Sequence, residues 1–269
     1  MKKNIYFGLL LLLISILLYS CGSFNINVYP TSEDLRLGKD VAEQIKSHPS
    51  EYPILKHNEV KNFIQSIVNE IIKSPELKYR GTFVYTVEVI NNDSVINAFC
   101  APGGYIYVYT GLLKFIDNEA TLAGILAHEI AHAECRHATS RMTKSLGMKV
   151  LSDAIVKETK KSKTASLATN LFSGLSLMNN SRDNEYEADE FSFKYLLSTK
   201  WYPGSILFFF DKIKVSADEN DLKLLLSTHP MPQDRYDKII SLLKQYNIPP
   251  SKESNMLYRH YQEFKKTLR

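Results

Sequence analysis

After residue 20 the chain of 269 residues has no apolar run long enough to cross a membrane, which takes about 20 residues as a helix. It has no large excess of charge of either sign. Lys and Arg number 33 against 29 Asp and Glu, and subtracting Lys2 and Lys3 with the leader described below leaves 33 − 2 = 31 against 29, a net of +2. Such a balance gives no electrostatic case for a nucleic-acid partner. No internal repeat with a period of roughly 20–50 residues occurs, which argues against a solenoid. Cysteine is scarce, at 3 residues. If Cys21 carries a lipid, only Cys100 and Cys135 remain. They could pair in an oxidising compartment or stand as two free buried thiols. What the chain does have is 44% hydrophobic residues, enough for one core of ordinary size.

Residues 1–20 read as a secretory signal. Lys2 and Lys3 precede an apolar run from Ile5 to Tyr19, short for a span and suited to an h-region. Leu18-Tyr19-Ser20-Cys21-Gly22 resembles a bacterial lipobox, with Cys21 as the lipidation site. Gly22, directly after Cys21, is not acidic. The resemblance therefore implies a lipid-anchored protein of the cell envelope, at the outer membrane and facing the periplasm. The expected organisation is a signal peptide over 1–20, a lipidated cysteine and tether over 21–30, a catalytic domain over 31–250, and a charged, fraying tail over 251–269.

Helical spacing dominates the domain. A helix is predicted from Thr31 or Ser32, with Glu33 and Asp34 favourable in its first turn. A second runs from Asn58 to about Lys73, where Val60, Phe63, Ile64, Ile67, Val68 and Ile71 share a face and Pro75 follows. The β signal is confined to residues 82–110: Thr82 to Ile90, Val95 to Phe99, and Tyr105 to Thr110, separated by Asn91-Asn92-Asp93 and Pro102-Gly103-Gly104. Residues 157–166 read as an exposed loop. Further helices are expected over 167–178, 183–197, 205–215 and 234–246. The fold class is therefore α+β, mostly helical with a small sheet.

The helix from Asn118 past His137 is apolar on most sides, so it is expected to be buried. Buried helices seldom carry paired histidines and carboxylates without a function. His128 and His132 are four residues apart, which puts both imidazoles on one face within reach of a single zinc ion. Glu129 lies beside them without being a ligand, placed to take a proton from water. A third ligand is needed, and residues 181–189 (SRDNEYEAD) supply carboxylates at the start of a later helix. Glu185 and Asp189 share a face. Glu187 points roughly 160–200° away, at about 100° per residue. Glu185 is the expected ligand, with Glu187 the other carboxylate available, and Asp189 behind it could orient a ligand histidine.

His128-Glu-x-x-His132 followed by Glu185-x-x-x-Asp189 resembles the CAAX prenyl protease and HtpX-like zinc metallopeptidase family, and within it the periplasmic, BepA-like lipoprotein members. Asn97-Ala98-Phe99, Pro102 to Val108, Arg136-His137-Ala138 and Thr228-His229-Pro230-x-Pro232-x-x-Arg235 are similar to other segments of that family. The resemblance spans about residues 31–245. It implies a zincin-type domain holding one Zn2+ per chain. It also implies that the strand at Tyr105 to Thr110 is an open edge, where Gly104, Tyr105, Ile106 and Tyr107 bind substrate backbone. His229 would approach the metal or an oxyanion. Arg235 would either stabilise developing charge or anchor its loop on a carboxylate. His137 reads as structural.

The implied function is a zinc metalloendopeptidase acting on misfolded or unassembled envelope proteins. The alternative is a chaperone-like binding factor for outer-membrane protein assembly, with cleavage incidental or held off by His229. The prenyl-protein branch fits less well, because its sites lie among several membrane spans. The sequence sets no oligomeric state.

Overall fold

The computed structural model describes residues 27–145, 180–215, 219–230 and 233–268. The signal and lipidation site expected over 1–21, and the loop and helix expected over 157–178, lie outside these residues. The two free cysteines among them are Cys100 and Cys135, which are not paired.

Helix α1 (Thr31–Ser47) is followed by α2 (Asn58–Ile71), whose apolar positions Val60, Ile64, Ile67, Val68 and Ile71 are buried, as its periodicity predicts. Three strands come next: β1 (Thr86–Ile90), β2 (Ala98–Ala101) and β3 (Tyr105–Tyr109). The remaining described helices are α3 (Thr110–Phe115), α4 (Glu119–Glu134), α5 (Arg182–Leu196), α6 (Ile206–Val215), α7 (Glu219–Thr228), α8 (Gln233–Gln245), α9 (Glu253–Met256) and α10 (Tyr258–Lys265). The expected α+β class holds. No helix among the described residues is long and apolar enough to cross a membrane.

The sheet order is β1-β3-β2. β1 runs parallel to β3, with Val87 opposite Ile106, and β2 runs antiparallel to it, with Phe99 opposite Tyr107. Strand alternation splits the side chains between two faces. Val87, Val89, Ile106 and Val108 join the main core with α2 and α4, while Phe99, Tyr107 and Tyr109 form a smaller cluster with Ile45 of α1.

This topology corrects the expectation of an open edge at Tyr105 to Thr110. β3 is the central strand, hydrogen-bonded on both sides, so the backbone groups of Tyr105, Ile106 and Tyr107 are already taken up by β1 and β2. The edge that borders α4 is β2. The turn at Pro102–Gly104 sits tightly on α1: a Cβ at Gly38 would lie 1.9 Å from the carbonyl oxygen of Pro102. Gly103 and Gly104 have φ of 75° and 93°, a region that favours glycine.

Both ends assigned to the domain are also corrected. Residues 251–268 do not fray as a charged tail. Met256, Tyr261, Phe264 and Leu268 belong to the main core, Phe264 stacks on Phe63 at 3.9 Å, and the Tyr261 hydroxyl donates to the carbonyl of Leu113. Within the tether, Asn27 donates from Nδ2 to Thr139 Oγ1, and the Tyr29 carbonyl accepts from Arg136. Residues 27–30 are therefore docked on the domain.

Candidate metal centre

Helix α4 carries the site. Its sequence is apolar on most sides, and every one of its residues is buried. Asn118 caps it by accepting from the backbone N–H of Thr121 at 2.8 Å. Helix α5 lies against it. The Ser181 side chain caps α5 by accepting from the N–H of Asn184. Glu185 and Asp189, one turn apart, face α4 and have no exposed surface.

Four donor side chains meet there: His128, His132, Glu185 and His229 each place one ligand-type atom within 4.8 Å of the others. His128 Nε2 and His132 Nε2 are 3.0 Å apart. Glu185 reaches His132 Nε2 at 3.2 Å and His128 Nε2 at 3.4 Å. Donors bound tetrahedrally at about 2.0–2.1 Å would be separated by about 3.3 Å. The spacing and the nitrogen–oxygen donor set fit a zinc-sized cation.

The other nitrogen of each histidine faces the protein. His128 Nδ1 lies 2.9 Å from Asp189 Oδ1, though poorly aligned for a hydrogen bond. Burial alone would lower the pKa of His128, but Asp189 and Glu185 outweigh it and hold the imidazole at about 9. His132 Nδ1 lies 2.7 Å from His137 Nδ1, and His137 Nε2 lies 3.1 Å from Glu187. Burial pushes His132 well below its usual range. Glu185 is well below the carboxylate range despite its burial, because His229 and His132 stand beside it.

Glu129 points into the cleft beside this cluster. Its Oε2 accepts the backbone N–H of Cys100 at 3.1 Å, and Oε1 is 3.6 Å from His229 Nε2. Burial raises its pKa, against the opposing pull of His229 and His128. His229 follows α7 and places Nδ1 3.3 Å from both oxygens of Glu185. Arg235, on α8, donates from Nε and Nη2 to Asp189 and from Nη1 to the carbonyl of Pro230. Its Nη1 also lies 2.7 Å from Glu185. Of the two roles left open for Arg235, these contacts match carboxylate anchoring.

The structure thus brings His128, Glu129, His132, Glu185, Asp189, His229 and Arg235 together. It keeps Gly104, Tyr105, Ile106 and Tyr107 out of the cleft edge. Glu187 is not among the four converging donors. His137, read as merely structural, touches a candidate ligand. Its one-residue offset from the His128–His132 ladder hid this, because Arg136 adopts φ of 53° and turns the chain after the helix ends. Asp34 and the Tyr29 carbonyl hold that turn by accepting from Arg136.

A buried helix with paired histidines, joined by a carboxylate from a second helix, defines a metallopeptidase of zincin type. The pattern of peptidase family M48 matches residues 58–242, more than half of the chain, and the chain belongs to that family, whose members are metal-dependent proteases. The chain is similar to the mitochondrial metalloendopeptidase OMA1 of Arabidopsis thaliana, 32% identical over 175 residues covering 65% of this chain and 34% of that protein. It is 30% identical to the beta-barrel assembly-enhancing protease of Escherichia coli K12 over 159 residues, 55% of this chain and 32% of the relative. Metalloprotease YcaL of the same strain is 29% identical over 158 residues, 54% and 58% of the two chains. The chain thus spans only about a third of the length of the first two of these relatives.

Proposed function

We propose that the protein is a zinc-dependent endopeptidase of the bacterial cell envelope that cuts misfolded or unassembled proteins. The observation that carries this reading is the convergence of His128, His132 and Glu185 on one point, with Glu129 beside it. His128 and His132 would hold the ion through Nε2 and Glu185 through its carboxylate. Bound there, zinc supplies a Lewis acid for a scissile carbonyl and for an attacking water. Glu129, its pKa raised by burial, is placed to accept the water proton and hand it to the leaving amine. Asp189, 2.9 Å from His128 Nδ1, would orient that imidazole once an ion is bound, and Arg235 neutralises the buried carboxylates behind it.

Substrate backbone would add to β2 rather than β3. The Cys100 N–H already points away from the sheet toward Glu129, so a peptide paired there would pass the reacting centre. A small apolar cavity of about 20 Å³, room for about one water molecule, is lined by Ala98, Leu112, Ile125, Phe209 and Phe210 and lies beside His128 and Glu129. The envelope setting is supported by the lipobox-like Cys21 and by the similarity to the beta-barrel assembly-enhancing protease of Escherichia coli.

His229 favours a second feature, low resting activity. Standing between Glu185 and Glu129, it would fill the position a water or carbonyl needs, and has to withdraw for turnover. In the extreme case the protein acts as a binding factor for unfolded β-rich clients. Metal analysis of the mature protein, with cleavage of an unfolded protein measured with and without chelator, tests the central reading. A metal-free protein, or cleavage indifferent to chelator, would overturn it. If Glu129→Gln keeps the cellular role while losing cleavage, the binding-factor reading stands instead.

A further inference from the structure

Cys135, His137 and Glu187 are left over once the primary donors are assigned. They come from two places in the chain: the turn that ends α4, and the face of α5 opposite Glu185 and Asp189. One donor atom from each lies within 4.8 Å of the others. His137 Nε2 is 3.1 Å from Glu187 Oε2, and the Cys135 thiol stands beside the same carboxylate. His137 is buried, while Cys135 and Glu187 are partly exposed, so the group has a route to solvent. Sulfur, imidazole and carboxylate are the three donor types that zinc accepts, with water able to fill a fourth position.

We propose that Cys135, His137 and Glu187 form a second, weaker site for a thiophilic divalent cation, and that filling it weakens the first site through the His132–His137 contact. The inference rests on the reading of His128, His132 and Glu185 as the primary site. The coupling follows from counting protons on two rings. His132 Nε2 faces the primary cluster, so as a ligand it carries its proton on Nδ1. That proton is then shared with His137 Nδ1, 2.7 Å away, which must accept. His137 therefore keeps its own proton on Nε2, donated to Glu187. A cation on His137 Nε2 reverses this arrangement. His137 must then carry its proton on Nδ1, where two N–H groups would face each other at hydrogen-bond distance. Either His132 gives up its Nε2 lone pair or one ring turns away, and both outcomes loosen the primary ion. By linkage the effect is reciprocal. The second cation displaces the Cys135 thiol proton to solvent on binding. The protein would then be held back by excess of its own cofactor.

Cadmium titration of the metal-free full chain tests this. A thiolate-to-metal charge-transfer band in the ultraviolet reports the second site alone, because no primary donor is sulfur. The first equivalent is expected to bind without the band and the second to bring it up, with the first ion at least tenfold easier to exchange once the second is bound. Cys135→Ser should abolish the band, leave the first equivalent in place, and raise at least tenfold the zinc concentration that inhibits cleavage. Cys100→Ser should leave the band intact, and Cys21 is common to all three proteins. Should Cys135→Ser fail to take up a first equivalent, Cys135→Ala is the substitute, with the same expectation. A single equivalent in the wild type, a band that grows with the first equivalent, or a band that survives loss of Cys135 would each overturn the proposal. Absence of any bound metal in any variant would instead overturn the primary-site reading.

Discussion

Arg235 donates Nε to one carboxylate oxygen of Asp189 and Nη2 to the other, both at 2.7 Å, and the two side chains are 2% and 0% exposed. This fork joins α8 to α5 directly behind the metal centre. Removing one partner of such a buried pair leaves a charge uncompensated. Arg235→Ala is expected to destabilise the fold by about 3–5 kcal/mol, read from the urea midpoint. With Asp189→Asn added, the combined loss should be smaller than the sum of the two, since each change removes the same interaction. Additive losses would mean the pair is not coupled.

Glu129→Gln changes a proton acceptor into a group that cannot accept, at nearly unchanged volume. Cleavage of an unfolded protein is expected to fall by about 10²–10⁴-fold. Metal content should stay at the wild-type level, because Glu129 is not among the four converging donors. Wild-type cleavage by the variant would remove Glu129 from the chemistry.

Metal removal should lower stability as well as activity. The buried donors His128, His132 and Glu185 then face one another with no common cation. A ligand present at about 1,000 times its dissociation constant stabilises the folded state by about 4 kcal/mol. A chelator is therefore expected to lower the thermal midpoint, and added zinc to restore it. A midpoint that ignores chelator would argue against a resident metal.

Gly38→Ala tests the contact between α1 and the Pro102–Gly104 turn, where the added Cβ would meet the Pro102 carbonyl oxygen at 1.9 Å. Overpacking of this kind costs about 1–3 kcal/mol. The loss should appear as a lower denaturant midpoint. Because the turn joins β2 to β3, peptide binding at β2 is expected to weaken alongside it.

The sequence by itself determined the facing of side chains along single elements. A period of 3.6 residues put His128 and His132 on one face of α4, and Glu185 and Asp189 on one face of α5. It also turned Glu187 the other way. The apolar surround of α4 announced its burial, and the alternation over residues 82–90 and 105–110 announced strands, which the structure confines to 86–90 and 105–109. Facing was readable because it depends only on neighbours within a turn or a pleat. Which strand is the edge depends instead on pairing between distant segments. β3 became central when β1 joined it in parallel and β2 in antiparallel, an outcome no local pattern specifies. The contact of His137 with His132 needed the left-handed turn at Arg136, held by Asp34 from 102 residues away. The last helix carried Tyr261 and Phe264 at helical spacing, with Leu268 in the 3-10 turn after it, but its charges obscured them until Phe63 and Leu113 supplied a surface to cover. Tertiary structure decided these points because each is a choice of partner, and partners far apart in the chain meet only once the whole core has closed.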